Sequence, residues 1–344
     1  MRVFITGGAG FIGSNSAAFF LARGHQVTIF DNFSRPGTAH NRAWLGALAK
    51  PGQLQFIVGD IRQTASLEQA ISAGTQLILH LAAQVAVTTS VSDPRTDFDI
   101  NAAGTFNVLE AMRRRAPQAC LIYSSTNKVY GGLEKRAVKE EAARYRFIDR
   151  PLGIDEEEPL DFHSPYGCSK GCGDQYVRDY ARIYGLRTVV FRQSCVYGHR
   201  QFGVEDQGWA AHFCIAAMKG RPIRIYGNGK QVRDMLWIDD LIRAFESAFE
   251  RADAVAGGVY NIGGGPDNTL SIWKEFEPFL RNVFGKPIPA EYHPPRPGDQ
   301  PIYISDIRKA KRELGWQPAV SFPEGLDRLC QWLKENATAL DVIP

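Results

Sequence analysis

Short apolar runs alternate with longer stretches of helical spacing through the first half of the chain. Residues 3–6, 26–30, 54–58, 76–80, 119–125 and 186–192 are apolar runs of strand length. Between several of them lie segments whose apolar positions recur every three or four residues, notably 11–21, 94–115 and 165–184. Strands joined by helices in this rhythm predict a parallel, doubly wound α/β sheet, because right-handed crossovers lay helices on both faces. After residue 195 the alternation breaks into helical, extended and proline-rich pieces, which predicts a smaller C-terminal lobe over residues 196–344. Residues 223–226 read as extended, Gly227-Asn228-Gly229 as a turn, and 237–250 as an amphipathic helix. A strand at 259–262 is expected to bring the segment near 237–263 back to the first lobe.

The first strand runs directly into Gly7-Gly8-Ala9-Gly10-Phe11-Ile12-Gly13, with Gly7, Gly10 and Gly13 at three-residue spacing inside the start of a helix. A strand that turns tightly into a helix leaves the first helical N–H groups free at the positive end of the helix dipole. That is a site for a pyrophosphate. Such a glycine triplet also occurs in plain tight turns, so its context decides. The second strand ends at Asp31, 18 residues past Gly13, where a carboxylate can accept from a ribose diol. A carboxylate there repels a 2′-phosphate and favours NAD over NADP, although nearby Arg35 keeps NADP open.

Ligands of doubly wound sheets lie beyond the carboxyl ends of the strands. Asp31, Asp60, Ala82-Ala83 and Ser124 to Thr126 all fall at those ends and are expected to ring one crevice. Between 131 and 164 the composition turns highly charged, with an acidic run at Asp155 to Glu158. A long stretch of this kind is either a solvated loop or a cover over the substrate.

Composition narrows the field. A net charge of +3 over 344 residues gives no nucleic-acid footprint, and Arg113-Arg114-Arg115 suits a helix C-terminus in solvent. No apolar run approaches the ~20 residues needed to span a bilayer, and a strand beginning at Arg2 leaves no leader to remove; a cytoplasmic protein without membrane partners is expected. The six cysteines are scattered, and Cys168 and Cys172 lack the second pair a zinc site wants. They are expected to be reduced thiols, with no metal.

Tyr166-Gly167-Cys168-Ser169-Lys170 sets a phenol and an ammonium four residues apart on one face of a helix start. A lysine charge near the hydroxyl, and the helix terminus, both favour phenolate, so Tyr166 is expected to serve as a base near neutral pH. The same stretch formally fits G-x-S-x-G, but that elbow needs an apolar strand before it, and Asp161 to Pro165 is polar and carries a proline.

These motifs, together with Asn101, Gly104-Thr105, Ser124 to Gly131 and Arg233-Asp234, resemble the extended short-chain dehydrogenases/reductases, in particular the NAD-dependent nucleotide-sugar epimerases and dehydratases. The resemblance implies a Rossmann-type NAD-binding domain over 1–195 and a nucleotide-sugar-binding lobe over 196–344. It implies that Tyr166 is the acid/base, with Lys170 on the nicotinamide ribose and Thr126 as the hydroxyl partner. The implied NAD+ contacts are Gly7, Gly10, Phe11, Ile12, Gly13, Asp31, Asn32, Ser34, Arg35, Asp60, Ile61, Leu81, Ala82, Ala83, Asn101 and Ser124, besides Tyr166 and Lys170. Substrate contacts are expected from Thr126, His163, Gln201, Arg233 and Arg296. His163 could instead cap its helix, and either arginine could instead form an ordinary ion pair.

Finer texture at 145–147, 153–156, 161–171 and 194–209 is similar to the CDP-paratose/CDP-tyvelose 2-epimerases. That subgroup implies transient oxidation at C2 of a CDP-sugar, rotation of the keto sugar and re-reduction, with NAD+ held throughout. It also implies a homodimer through the helices near 94–115 and 165–184. A UDP-hexose 4-epimerase remains an alternative, although its pattern has asparagine where Cys195 stands. A 4,6-dehydratase ranks lower, because Asn127 and Lys128 stand where that chemistry has an acidic pair. A dinucleotide sensor without catalysis is a further alternative, against which the intact Tyr166, Lys170 and Thr126 count.

Overall fold

The computed structural model describes residues 1–296 and 299–343. Seven parallel strands form the central sheet: β1 (Arg2–Thr6), β2 (Gln26–Asp31), β3 (Leu54–Val58), β4 (Leu77–His80), β5 (Cys120–Thr126), β6 (Arg187–Gln193) and β7 (Val259–Ile262). Their order is β7-β6-β5-β4-β1-β2-β3. The direction of winding reverses between β1 and β4, and a crevice opens there because successive helices leave on opposite faces.

Side chains alternate across each strand, so both faces need apolar cover. Val3, Ile5, Ile29, Leu79, Ile122 and Phe191 face one layer, which includes the buried side of helix α1 (Phe11–Ala22). Phe4, Phe30, Ile78, Leu121 and Val190 face the other, with Val108, Leu109 and Met112 of helix α3 (Gly104–Arg115) and Val177 of helix α4 (Ser164–Tyr184). Helix α2 (Thr38–Leu48) flanks α1, and helix α5 (Ile238–Glu250) leads to β7. Strand β7 pairs with β6 in register Val259 to Val190, so residues from the second half of the chain complete the sheet.

The helix expected over 94–115 is present but not uniform. It runs Pro94–Phe98, then through a π turn at Asp99–Ala103, then into α3. The wide turn carries Asn101, as such bulges often carry a residue with a task.

Residues 131–164 are exposed over much of their length, as a solvated stretch would be, but they carry structure of their own, and none of them lines the cleft described below. Val138–Glu140 and Tyr145–Phe147 form a small antiparallel pair. Phe147 and Ile154 enter a core with Val129, Tyr130, Val232, Ile302 and Tyr303. Arg144 forks onto Glu275 at 2.8 and 2.6 Å, and Glu156 accepts from the backbone N–H of Asn261 at 2.7 Å. Glu158 pairs with Arg136 at 2.5 Å. Glu156 and Glu158 of the acidic run are thus spent on internal partners, and the segment packs as a buttress against Val232, Ile302 and Tyr303.

Candidate functional site

At the end of β1 the chain leaves Thr6 through Gly7, whose φ of +69° suits glycine. A Cβ on Gly7 would stand 2.7 Å from the Ala82 nitrogen, and one on Gly13 would stand 2.3 Å from the Gly7 carbonyl oxygen. The triplet therefore lets helix α1 start against the turn. Gly10 caps α1 without a side chain, which leaves the first helical N–H groups facing the crevice. A cleft of about 1000 Å³ opens in front of it, at the upper end of ordinary ligand pockets.

Asp31 is held for its place. Its two carboxylate oxygens accept from the Ala9 N–H at 2.9 Å and the Phe33 N–H at 2.8 Å. Burial still pushes its pKa up, opposed by these bonds and by Arg35. Asn32 donates to Asp60 at 3.1 Å, and Arg62 holds Asp60 down to about 2. Gly7, Gly10, Phe11, Ile12, Gly13, Asn32, Ser34, Arg35, Ile61, Leu81, Ala82, Ala83 and Ser124 line the same cleft with Asp31 and Asp60. A glycine cradle that any Cβ would disturb, followed by an anchored diol-binding carboxylate, fits an NAD-type dinucleotide.

Asn101 does not line the cleft. It is buried, accepts from the Gln84 N–H at 3.0 Å, and donates toward Gln84, Asp97 and Ser169. Ser169 donates to Asp97 at 2.5 Å. Asn101 is therefore a clamp between the β4 loop and helix α4, one layer behind the site.

Helix α4 carries Tyr166 and Lys170 into the cleft. Tyr166 is buried, and Thr126 at the end of β5 is the polar neighbour that acts on its hydroxyl, while the Thr126 Oγ itself donates to the Asn127 amide oxygen at 3.3 Å. Its backbone N–H donates to Ser90 Oγ at 3.1 Å. The expectation of a phenol acidified by its lysine is overturned for the protein alone. Burial pushes Tyr166 up to about 12; Thr126 works in the opposite direction and the Asp97 charge adds to the rise. Lys170 is pulled down to about 7 by the same burial, although Asp174 and Asp97 resist. Its ammonium donates to the Ser124 carbonyl at 2.5 Å and sits 4.3 Å over the Tyr123 ring.

Gln201, Arg233 and Arg296, from the second half of the chain, also line the cleft. Arg233 is buried and donates to Asp299 at 2.7 Å; Lys128 meets the same carboxylate at 3.7 Å. Arg296 lies 3.9 Å over the Tyr226 ring and 3.0 Å from Asp206. The Gln201 Oε1 is buried without a partner, so it offers an acceptor to a ligand. His163 lies outside the cleft. Its ring is 3.2 Å from Asp161, and it makes no capping bond; Ser164 Oγ accepts from Gly167 N–H at 3.2 Å instead.

Several residues the sequence did not single out complete the site. Gln193, at the end of β6, accepts from Ser124 at 3.0 Å and leaves its Nε2 buried without a partner. His80 bridges Thr6 at 2.8 Å and Thr105 at 3.0 Å, and burial drops its pKa to about 3, so it stays neutral. Asp174 binds Ser125 at 2.8 Å and Arg192 at 2.9 and 3.0 Å. His80 and Gln193 carry only the signal of a polar side chain at a strand end, and Asp174 only its place one helical turn after Lys170.

Residues 4–329 match the family described as GDP-mannose 4,6 dehydratase. The chain is 44% identical over 338 residues to the CDP-paratose 2-epimerase of Salmonella typhi, covering 96% of this chain and 99% of that one. A putative UDP-glucose 4-epimerase of Methanocaldococcus jannaschii is 32% identical, covering 97% and 99%. Among solved structures, UDP-glucose 4-epimerase of Thermotoga maritima with UDP-glucose superposes at a TM-score of 0.81, with 32% identity over 98% of this chain and 100% of that one. The dTDP-glucose 4,6-dehydratase DesIV of Streptomyces venezuelae, with NAD and TYD bound, gives 0.84, with 30% identity and 98% of both chains covered.

Proposed function

The chain belongs to the GDP-mannose 4,6 dehydratase family of extended short-chain dehydrogenases/reductases, and we propose that it is an NAD-dependent epimerase that inverts C2 of a CDP-hexose of the paratose/tyvelose type. The observation that carries an epimerase is the Thr126–Tyr166 hydroxyl pair in the cleft, followed by Asn127 and Lys128 rather than by carboxylates. Elimination of a 6-hydroxyl needs a proton donor beside the sugar, and an amide and an ammonium with its own carboxylate partner do not match an acid pair. The 44% identity to a CDP-paratose 2-epimerase supports C2 and CDP.

Bound NAD+ would supply the hydride acceptor and return the hydride within one turnover. Tyr166 takes the proton of the sugar 2-hydroxyl through its link to Thr126 and gives it back after the keto sugar has turned. Lys170, already aimed at the Ser124 carbonyl beside the phenol, orients the dinucleotide ribose. Arg233 and Arg296 offer guanidinium forks to the nucleotide pyrophosphate, with Gln201 toward the sugar. Neither arginine is free of carboxylates, so substrate must compete with Asp299 and Asp206.

The protein works as a homodimer in this reading. Phe106 on α3 and Tyr176, Ile183 and Tyr184 on α4 are large exposed apolar side chains on neighbouring helices, and two copies can bury them as a helical bundle.

Incubation with CDP-, UDP- and dTDP-hexoses, followed by NMR of the sugar ring, tests the activity. Inversion at C2 of a CDP-sugar is expected. Inversion at C4 of a UDP-sugar, or a 4-keto-6-deoxy product, would replace it.

A further inference from the structure

The stretch His199–Phe202 leaves the second lobe and reaches back across the start of helix α1. Asn15 on α1 donates to the His199 carbonyl at 3.0 Å, which staples the stretch to the helix. Phe202 packs so closely over Gly37 that a Cβ there would overlap its ring, and it stacks on His40 with centroids 6.0 Å apart. Between these two anchors stands Arg200, with a φ of +63°. That is a left-handed conformation which a side chain of this size adopts only when its surroundings hold it there, and such residues cluster at ligand clamps.

The guanidinium carbon of Arg200 lies 3.7 Å from the Trp44 ring centroid and 5.9 Å from that of Trp332. Its one hydrogen-bond partner among the described residues is the Asn41 amide oxygen, at 3.4 Å. The nitrogen of the same amide donates to the Ala9 carbonyl at 3.0 Å, inside the glycine turn. Arg200 is thereby tied through one side chain to the turn that starts α1. No carboxylate among the described residues lies within ion-pair distance of it, and both Arg200 and Asn41 line the cleft. Arginines elsewhere in the cleft, Arg233 and Arg296, have carboxylate partners. Partial burial without a counter-charge holds Arg200 down to about 10. A half-buried cation stacked on indole and lacking an anion is energetically incomplete.

We propose that Arg200 is the second jaw of the cofactor site: with the N–H groups of the glycine turn on one side, its guanidinium clamps the dinucleotide pyrophosphate from the other. The pyrophosphate is the anionic part of a dinucleotide whose ribose keeps its 2′-hydroxyl, and Asp31 is placed to accept a hydrogen bond from that hydroxyl. Because Arg200 rides on the second lobe, the clamp fastens the two lobes together through the cofactor and slows its escape. The inference rests on the reading of the cleft as an NAD site.

Calorimetry with NAD+, ADP-ribose and adenosine on protein freed of dinucleotide tests it, with Arg200→Met and Arg200→Lys beside the wild type. Arg200→Met should weaken NAD+ and ADP-ribose by about tenfold or more, the worth of a charge-assisted hydrogen bond. Adenosine should stay within about twofold, since it lacks the pyrophosphate. The salt dependence of NAD+ binding should flatten in Arg200→Met and persist in Arg200→Lys, which keeps the charge. Equal loss of adenosine and ADP-ribose would show that Arg200 only shapes the loop, and unchanged NAD+ binding would also overturn the clamp. A gain or loss confined to NADP+ would move the arginine to the 2′-position. Wild-type protein that binds none of these ligands would remove the NAD reading itself, a different failure from a variant that binds as well as its parent.

Discussion

The ammonium of Lys170 donates to the carbonyl oxygen of Ser124 at 2.5 Å across the gap between helix α4 and strand β5. This bond seats a buried cation on a neutral acceptor, and Lys170 is pulled down to about 7 as a result of burial. A lysine titrates near 10.4 when unfolded. Between those values the unfolded chain binds the extra proton, so this residue makes stability rise with pH from about 7 toward 10, and the penalty is fully present below 7.

Wild-type protein without cofactor should therefore gain stability relative to Lys170→Met as pH is raised from 7 to 9. Each unit of that span is worth up to about 1.4 kcal/mol. Chemical denaturation at a series of pH values measures the difference. A constant gap between the two proteins across that range would contradict it.

Thr126 is the one neighbour that lowers Tyr166, against burial and the Asp97 charge that raise it toward 12. Thr126→Val should shift the alkaline-rising limb of the rate–pH profile to higher pH and cut the rate at pH 7 by about 10²-fold or more. Thr126→Ser should restore most of it. Tyr166→Phe should lose the reaction by a larger factor at every pH while NAD+ binding persists, which separates proton transfer from cofactor affinity.

Asp174 and Arg192 form an ion pair with both side chains essentially out of solvent, tied also to Ser125 and Tyr130. Removing one partner strands the other charge. Asp174→Ala should cost about 3–5 kcal/mol of stability, read as a lower denaturation midpoint. The paired change to apolar residues of similar volume should cost much less, which distinguishes a stranded charge from a lost contact.

Arg233 holds Asp299 at 2.7 Å, yet that aspartate also has Lys128 at 3.7 Å. Arg233→Met should raise KM for the nucleotide sugar by about tenfold or more while changing kcat little, because a pyrophosphate contact acts in ground and transition states alike. A fall in kcat with unchanged KM would assign the arginine to the sugar instead.

What the sequence conveys about this protein divides along the distance between partners. The glycine turn, Asp31 and the Tyr166–Lys170 pair lie within local motifs, whose geometry follows from helix and strand periodicity. Their neighbours are long-range. Arg200 finds Asn41 across 159 residues, and Arg144 finds Glu275 across 131; nothing near them announces the partner. The charged stretch 131–164 reads as solvated because its apolar partners Val232 and Ile302, and the Glu275 that Arg144 holds, are remote in the chain. His163 is a polar residue immediately before the helix that holds Tyr166, and proximity in the chain suggests a place nearer the cleft than its backbone gives it. For the Tyr166 hydroxyl the sequence shows the charge beside it, whereas desolvation, which depends on the whole surrounding fold, is the larger influence.

Strand β7 is drawn from residues that follow helix α5, and it covers the flank of β6. A fragment ending near residue 195 would therefore expose the unpaired backbone of β6 as an open edge and invite strand exchange between molecules. The sheet that carries the glycine turn cannot be cut out as an autonomous module at residue 195; its last plank is delivered only once the chain has run on through residues 196–258.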